Sequence, residues 1–271
     1  MAILYMRTST IRRSAGRTAV AAAAYRAAVA LDDPRTGERH DFTRKRGVAA
    51  SGLAGWKGTR GELWAAAEKA ERRRDATVAR EVVIAIPHEL PPGRAAALLR
   101  DWAEWIARRH GCAADWSLHL PGREGDRRNL HGHILLTTRR SEGARLTEKT
   151  RELDDRKAGS RHLRAWRAEW AKRARAALAE IGVAADLDPR SYAAQAREKR
   201  IPFMLGGEHL GPARAALARQ GVPVAAALRN ATRQALNAEV RAWRRALDDT
   251  LAAVIDEAAS GGPPQPHQRV R

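Results

Sequence analysis

The sequence predicts an α+β fold, a central antiparallel β-sheet with flanking helices, followed by a helical C-terminal extension. Segments of two-residue apolar alternation and segments of helical spacing succeed one another in the order β-α-…-α-β-α-β-β-α, which suits helices packed on an antiparallel sheet. Residues 78–87 place Val82, Ile84 and Ile86 on one face and Glu81, Val83 and Ala85 on the other, the signature of a strand with two distinct faces. The run Pro121-Gly-Arg-Glu-Gly-Asp-Arg-Arg-Asn129 is rich in turn formers and separates two further apolar segments, as the loop of a long hairpin would.

Taken in order, residues 2–10 alternate and read as a first strand, and Arg12-Arg13-Ser-Ala-Gly-Arg17 is a basic turn. Thr18 opens a helix expected to run from Ala19 to about Leu31, its alanines allowing close backbone approach. A turn at Asp33-Pro-Arg-Thr-Gly37 leads into polar, basic sequence through Arg46. Residues 61–74 form a second helix with Leu63, Trp64, Ala67 and Ala70 on one side. After the strand at 78–87, Pro91-Pro92 and Gly111 bracket a helix that turns Leu98, Leu99, Trp102 and Ile106 inward. The two hairpin strands follow, then a turn-rich link over 139–160 and a helix over 161–181 with Leu163, Trp166, Trp170, Ala174, Ala177 and Leu178 at helical spacing. Those tryptophans are expected in the core. Short, Pro- and Gly-punctuated elements fill 188–212, a last helix covers 223–257, and the Gly-Pro-Gln tail from 259 is expected to be disordered.

Composition narrows the partner. The 271 residues carry 50 Lys and Arg against 31 Asp and Glu, a net charge of +19. A field of that size attracts polyanions, so nucleic acid is the favoured partner, with an anionic membrane a distant second. Arg-rich codon usage explains Arg over Lys but not the excess of base over acid. Cys112 is the single cysteine, which excludes a disulfide framework and a cysteine zinc site and fits a reducing cytoplasm. No secretory leader is read at the N-terminus, and the most apolar stretch, 19–31, is interrupted by Arg26 and far shorter than a membrane span.

Three histidines are the strongest chemical signal. His131 and His133 stand at i and i+2 of a strand and project to one face, and the hairpin would bring His119 of the preceding strand alongside them. Neutral imidazole is the commonest metal ligand, and three of them leave positions open for substrate, which favours a catalytic over a structural metal. Partly exposed strand histidines in an Arg-rich chain are the alternative. A histidine-held metal in so basic a protein points to phosphodiester chemistry, the metal polarising a phosphate oxygen while Lys and Arg position the backbone. Water or a side-chain hydroxyl could then attack. Of Tyr5, Tyr25 and Tyr192, Tyr25 is the notable one, on an alanine-rich helix behind the basic turn. On composition alone such a tyrosine is a core residue with its hydroxyl at the rim.

Longer stretches make the signal specific. They are Ala2-Ile-Leu-Tyr5, Arg13-Ser-Ala-Gly-Arg17 with Ala19-Val-Ala-Ala-Ala-Ala-Tyr25-Arg26, and Asp33 with Thr36-Gly-Glu-Arg-His-Asp-Phe42. Glu71-Arg-Arg-Arg-Asp75, Ala79-Arg-Glu81-Val-Val-Ile-Ala-Ile-Pro87 and Asn129-Leu-His-Gly-His-Ile-Leu-Leu-Thr-Thr-Arg139 follow, then Arg151-Glu-Leu-Asp-Asp155 and His209-Leu-Gly-Pro212. Through them the chain resembles the MobA/MobL family of plasmid mobilisation relaxases, a branch of the HUH single-strand DNA endonucleases, over roughly residues 2–215. The resemblance implies a relaxase domain over 1–215, and the sequence beyond it reads as a helical extension over 216–258 and a tail over 259–271. It implies Tyr25 as nucleophile, and His119, His131 and His133 as holders of a divalent metal. Mg²⁺ or Mn²⁺ is usual in the family, while an all-histidine set also suits Zn²⁺ or Ni²⁺. Glu81 matches an acidic strand position near the family's site, where a carboxylate can orient a histidine ligand; pairing with a surface arginine is its alternative. Gly132 departs from the family, whose middle position carries a hydrophobic or small side chain, and glycine there is expected to remove packing beneath the ligands.

The implied reaction is site- and strand-specific nicking of single-stranded DNA at a plasmid transfer origin, through a 5′-phosphotyrosyl intermediate, with rejoining after conjugative transfer. Relaxosome accessory proteins and a type IV secretion coupling protein are the implied partners, and a bacterial cytoplasm, with translocation to the recipient, the implied location. DNA contacts are expected from Arg12, Arg13 and Arg17, from Arg44, Lys45 and Arg46, from Arg72, Arg73 and Arg74, and from Arg127 and Arg128. A solvated charged face is the alternative for each cluster. A rolling-circle replication initiator would share the histidine pair and a helical tyrosine. A nonenzymatic DNA-binding accessory protein would share only the charge, and a histidine-zinc hydrolase would leave free 5′-phosphate ends.

Overall fold

The computed structural model describes residues 4–122, 126–185, 187–198, 203–208 and 210–260. In chain order the elements are β1 (Met6–Arg12), α1 (Ala19–Ala27), β2 (Ala30–Asp33), β3 (Glu38–Asp41), β4 (Val48–Ala54), α2 (Arg60–Ala70), β5 (Thr77–Ala85) and α3 (Pro92–His110). Then come β6 (Cys112–His119), β7 (His131–Glu142), β8 (Arg145–Lys149), α4 (Arg156–Ala179), α5 (Tyr192–Glu198), α6 (Gly211–Arg219) and α7 (Ala225–Ser260). They form two units, Met1–Pro189 and Arg190–Arg271, with α5, α6 and α7 in the second.

In the first unit the strands pair antiparallel in the order β1-β5-β7-β6-β4, with β8 added to the end of β7. β7 is therefore the central strand and β6 its neighbour. The two faces expected from alternation are both buried, under different helices. Val82, Ile84, Leu118, Ile134 and Leu136 join Leu98, Leu99, Trp102 and Ile106 of α3 and Trp166, Trp170 and Leu178 of α4 in one core. The tryptophans are core residues as expected, Trp102 and Trp170 meeting edge to face at 5.0 Å between ring centres. On the opposite face Ile11, Ala79, Ala113 and Leu135 pack against Ala19, Val20 and Ala23 of α1 and Leu63, Trp64 and Ala67 of α2.

Local chemistry sets the helix ends. Thr59 and Glu62 close a reciprocal capping box at the start of α2. Gly111 in the left-handed region, φ 59°, ends α3 at the expected residue. α1 stops at Ala27 rather than Leu31 because Ala28 takes a left-handed conformation, φ 56° and ψ 47°, without the glycine that usually announces such a stop. The residues beyond it form the β2–β3 hairpin, with Leu31 opposite His40.

Other expectations shift as well. β1 begins at Met6 and pairs with β5 through the register Met6 to Ile84. β4, made of Val48-Ala-Ala-Ser-Gly-Leu-Ala54, has no β-branched pattern to announce it and is held as a strand by pairing with β6. The link read over 139–160 is instead the end of β7, the short strand β8 and the first turn of α4, which Asp155 caps by accepting from the Ala158 amide. Residues 123–125 of the hairpin loop, His209 and residues 261–271 of the expected tail lie outside the described residues; 259 and 260 belong to α7.

In the second unit Asn237 brackets Leu205, its amide accepting from the Leu205 N–H and donating to the Leu205 carbonyl, both at 2.8 Å. Asn230 holds Glu208 in the same way, and Ala196 and Met204 pack with Val240.

Candidate functional site

Sheet register assembles the histidines. His119 of β6 pairs directly with His131 of β7, and His133 lies opposite Ser117, two residues along on the same face. One ring nitrogen from each histidine lies within 4.8 Å of those of the other two, and this is the one such cluster among the described residues. One nitrogen of each ring is anchored. His131 Nδ1 donates to the Asn129 carbonyl at 2.9 Å, His133 Nδ1 donates to Glu81 Oε1 at 2.9 Å, and His119 Nε2 donates to the Arg26 carbonyl at 2.7 Å. An N–H directed at a fixed acceptor sets the tautomer and leaves the lone pair of the remaining nitrogen for a ligand. The donor set and its anchoring fit a divalent cation.

Burial disfavours the protonated form of two of these rings, His119 and His131. Desolvation pushes the pKa of His119 down to about 3 and that of His131 below its ordinary value, against the raising effect of their carbonyl partners. Glu81 behaves oppositely. Burial raises its pKa, but hydrogen bonds from His133 and Arg26 outweigh burial and hold the carboxyl ionised, below the usual carboxylate range. Glu81 is thus a buried carboxylate on β5, Oε1 receiving Arg26 Nε at 2.5 Å and Oε2 receiving the Ser9 hydroxyl at 3.3 Å. The two readings left open for Glu81, orienting a histidine and pairing with an arginine, are one network.

Gly132 between the two β7 histidines does not loosen this arrangement. A Cβ there would lie 2.6 Å and 2.8 Å from the two terminal methyls of Leu99. Leu99, fully buried on α3, fills the space beneath the ligands, so the expected loss of packing does not occur.

Tyr25 sits near the C-terminal end of α1. It is 47% exposed rather than buried in the core, so the composition-only reading fails and the phenol is accessible. Its ring meets Phe42 edge to face at 5.3 Å and carries the Lys45 ammonium 4.1 Å from its centre. The next residue, Arg26, was not singled out from sequence for the site, although it lies in the quoted Tyr25-Arg26 stretch. Its carbonyl touches His119 and its guanidinium touches Glu81, so it ties the helix of the tyrosine to the histidine face. Alanines at 22, 23, 24 and 27, all buried, are what permit that backbone approach.

A second buried network fixes the other end of α1. Glu68 Oε1 accepts from the Ala19 amide at 2.7 Å, and Thr18 Oγ1 accepts from the Ala21 amide at 2.9 Å. Arg13 chelates Glu68 and donates to the carbonyls of Glu68, Glu71 and Arg73. It is therefore a scaffold residue turned inward, unlike the exposed Arg12, Arg17, Arg44, Arg46, Arg72, Arg74 and Arg127. Arg73 pairs with Asp75 and Arg128 with Asp126, both in the open, where such pairs contribute little to stability. Lys45 is half-buried, and burial and the Arg26 charge lower its pKa. Among the described residues no helix is long and apolar enough to cross a membrane.

The fold has a match among solved structures. One described as "Molecular Basis of Vancomycin Resistance Transfer in Staphylococcus aureus" superposes with a TM-score of 0.61 over 70% of this chain and 100% of that one. At 22% identity the likeness is one of fold. The MobA/MobL family model matches residues 17–220, and the chain belongs to the MobA/MobL family. It is 36% identical to "Mobilization protein MobL" of Acidithiobacillus ferridurans, over 81% of this chain and 65% of that protein. It is 33% identical to "Conjugal transfer protein TraA" of Rhizobium radiobacter, over 51% of this chain and 14% of that one. The chain thus spans just under two thirds of the first relative and a small part of the second.

Proposed function

We propose that this chain carries the relaxase domain of a plasmid mobilisation protein, which nicks one strand of DNA at a transfer origin and rejoins it after conjugative transfer. The observation that carries the reading is the anchoring of three clustered histidines, one of them by the main chain of the helix that bears Tyr25. Names of relatives that include mobilisation and conjugal transfer supply the biological setting.

In this reaction Tyr25 Oη attacks the scissile phosphorus. The Oη–P bond forms as the P–O3′ bond breaks, the phenolic proton leaves, and the departing 3′ oxygen takes up a proton. One phosphodiester replaces another, so the step is nearly thermoneutral and runs backwards to reseal the strand. A divalent ion held by His119, His131 and His133 (Mg²⁺ or Mn²⁺, with Zn²⁺ or Ni²⁺ also suited to imidazole) would supply Lewis-acid polarisation of a non-bridging phosphate oxygen. Glu81 orients His133, Arg26 orients His119, and Asn129 orients His131, so the three lone pairs are presented before any substrate arrives. Exposed arginines, among them Arg44, Arg46 and Arg127, bind the phosphate backbone of single-stranded DNA, and their charge makes binding strongly salt-dependent. Accessory proteins at the origin and a secretion coupling protein are the proposed partners, and a bacterial cytoplasm, with transfer into the recipient, the proposed location.

A denaturing gel of the protein with labelled single-stranded oligonucleotides from its own transfer origin, with and without Mn²⁺, tests the reading. The expected result is a protein-linked band that depends on metal and vanishes in Tyr25→Phe while DNA binding persists. Free 5′-phosphate ends without an adduct would identify a hydrolase, and binding without cleavage an accessory protein.

A further inference from the structure

Lys45 was expected as one of a run of basic residues facing DNA, but its ammonium is directed at the protein. Nζ donates to the main-chain carbonyl of Tyr25 at 2.8 Å and lies 4.1 Å from the centre of the Tyr25 ring. The turn that carries it is itself fastened. The Lys45 amide donates to the Phe42 carbonyl at 2.9 Å, the Phe42 amide donates to the Val29 carbonyl at 3.2 Å, and the Phe42 ring meets the Tyr25 ring at right angles. One ammonium therefore lies against the exposed tyrosine, held to the main chain of the same residue.

An exposed tyrosine near the end of a short helix can occupy more than one staggered rotamer unless neighbours select one. A nucleophile needs its oxygen held within a fraction of an ångström of the line of attack, and misplacement by about 1 Å costs on the order of a hundredfold in rate. A cation against a ring face restricts the ring without covering the hydroxyl at its edge. We propose that Lys45 is a positioning residue for Tyr25, clamping the ring against Phe42 so that the phenol oxygen faces the phosphate above the histidines. This rests on the reading of Tyr25 as nucleophile. It differs from a phosphate contact, which would serve affinity and leave the rate at saturating DNA unchanged.

The test uses the full chain, Mn²⁺ and a labelled oligonucleotide from its own transfer origin, reading the single-turnover rate of adduct formation at saturating DNA. Affinity is measured separately in a Tyr25→Phe background. Lys45→Met keeps the stem and removes the charge, Lys45→Arg keeps a cation for the ring, and Lys45→Gln replaces the Met variant if circular dichroism reveals that it misfolds. The expected result is a fall of about tenfold or more in the saturating rate for Lys45→Met, most of it recovered in Lys45→Arg. An unchanged saturating rate in Lys45→Met, whatever happens to affinity, overturns the inference, as does an equal loss in the Met and Arg variants. If the wild-type chain forms no Tyr25-dependent adduct on its cognate origin, the nucleophile reading itself falls and the Lys45 role falls with it.

Discussion

Replacing Gly132 by alanine puts a methyl group where the structure already holds two. The added carbon would stand 2.6 Å and 2.8 Å from the Leu99 Cδ atoms and 3.3 Å from Ile84 Cγ2. Carbon atoms in contact sit about 3.5–4.0 Å apart, so the Leu99 methyls must retreat by about 1 Å. Neither wall yields easily. Leu99 is fully buried among Trp102, Ile106 and the sheet, and Gly132 is paired in register with Ile84 on one side and Leu118 on the other. Overpacking of this kind costs about 1–3 kcal/mol. Urea denaturation of the metal-free protein should reveal a lower midpoint for Gly132→Ala with an unchanged slope. Leu99→Ala alone creates a cavity and costs about 2–5 kcal/mol. Because it also removes the two clashing methyls, the double variant should be less destabilised than the sum, by about 1 kcal/mol or more. Two outcomes would refute the reasoning: a Gly132→Ala midpoint equal to that of wild type, or strict additivity with Leu99→Ala.

Three further outcomes are expected. Glu81→Gln removes the carboxylate that His133 Nδ1 and Arg26 Nε both address, so Mn²⁺ affinity by titration calorimetry should weaken about 10- to 100-fold, with little change for a surface control such as Glu142→Gln. Arg13→Gln leaves the buried Glu68 short of its main partner and should lower stability by about 1–3 kcal/mol, whereas Arg72→Gln should leave thermal stability unchanged and only weaken DNA binding. His110 accepts from Trp166 Nε1 at 2.9 Å, and burial lowers its pKa to about 4. A folded pKa below the unfolded one of about 6.5 means that only the unfolded chain takes up the proton between those values. Stability is therefore full above pH 6.5 and is lost as pH falls towards about 4, with the buried His119 adding in the same direction. A scan of melting temperature against pH should decline over that window, and less steeply in His110→Gln.

Much of the sheet was legible because burial writes a period of two into a strand. Val82, Ile84 and Ile86 against Glu81 and Val83 announced β5 and its two faces, and Pro91-Pro92 with Gly111 bracketed α3 to the residue. Elements without such a pattern were missed. β4 is a run of small residues at the sheet edge, and β8 is five residues, mostly polar, that pair only with the end of β7. The end of α1 was misplaced because Ala28 adopts a conformation that the sequence normally assigns to glycine.

The sequence by itself determined the residue types of the candidate site: the spacing His131-Gly-His133, Tyr25 on an alanine-rich helix, the excess of positive charge and the run of motifs shared with the MobA/MobL family. Local spacing and composition suffice for those, since they depend on residue type and on the period of one strand. Only the tertiary structure decided which atoms touch. It put Arg26 between His119 and Glu81, turned Arg13 inward onto Glu68, laid Lys45 on Tyr25 and filled the space below Gly132 with Leu99. Each of these contacts joins residues far apart in the chain, and their direction follows from strand register and helix packing, which no local pattern encodes.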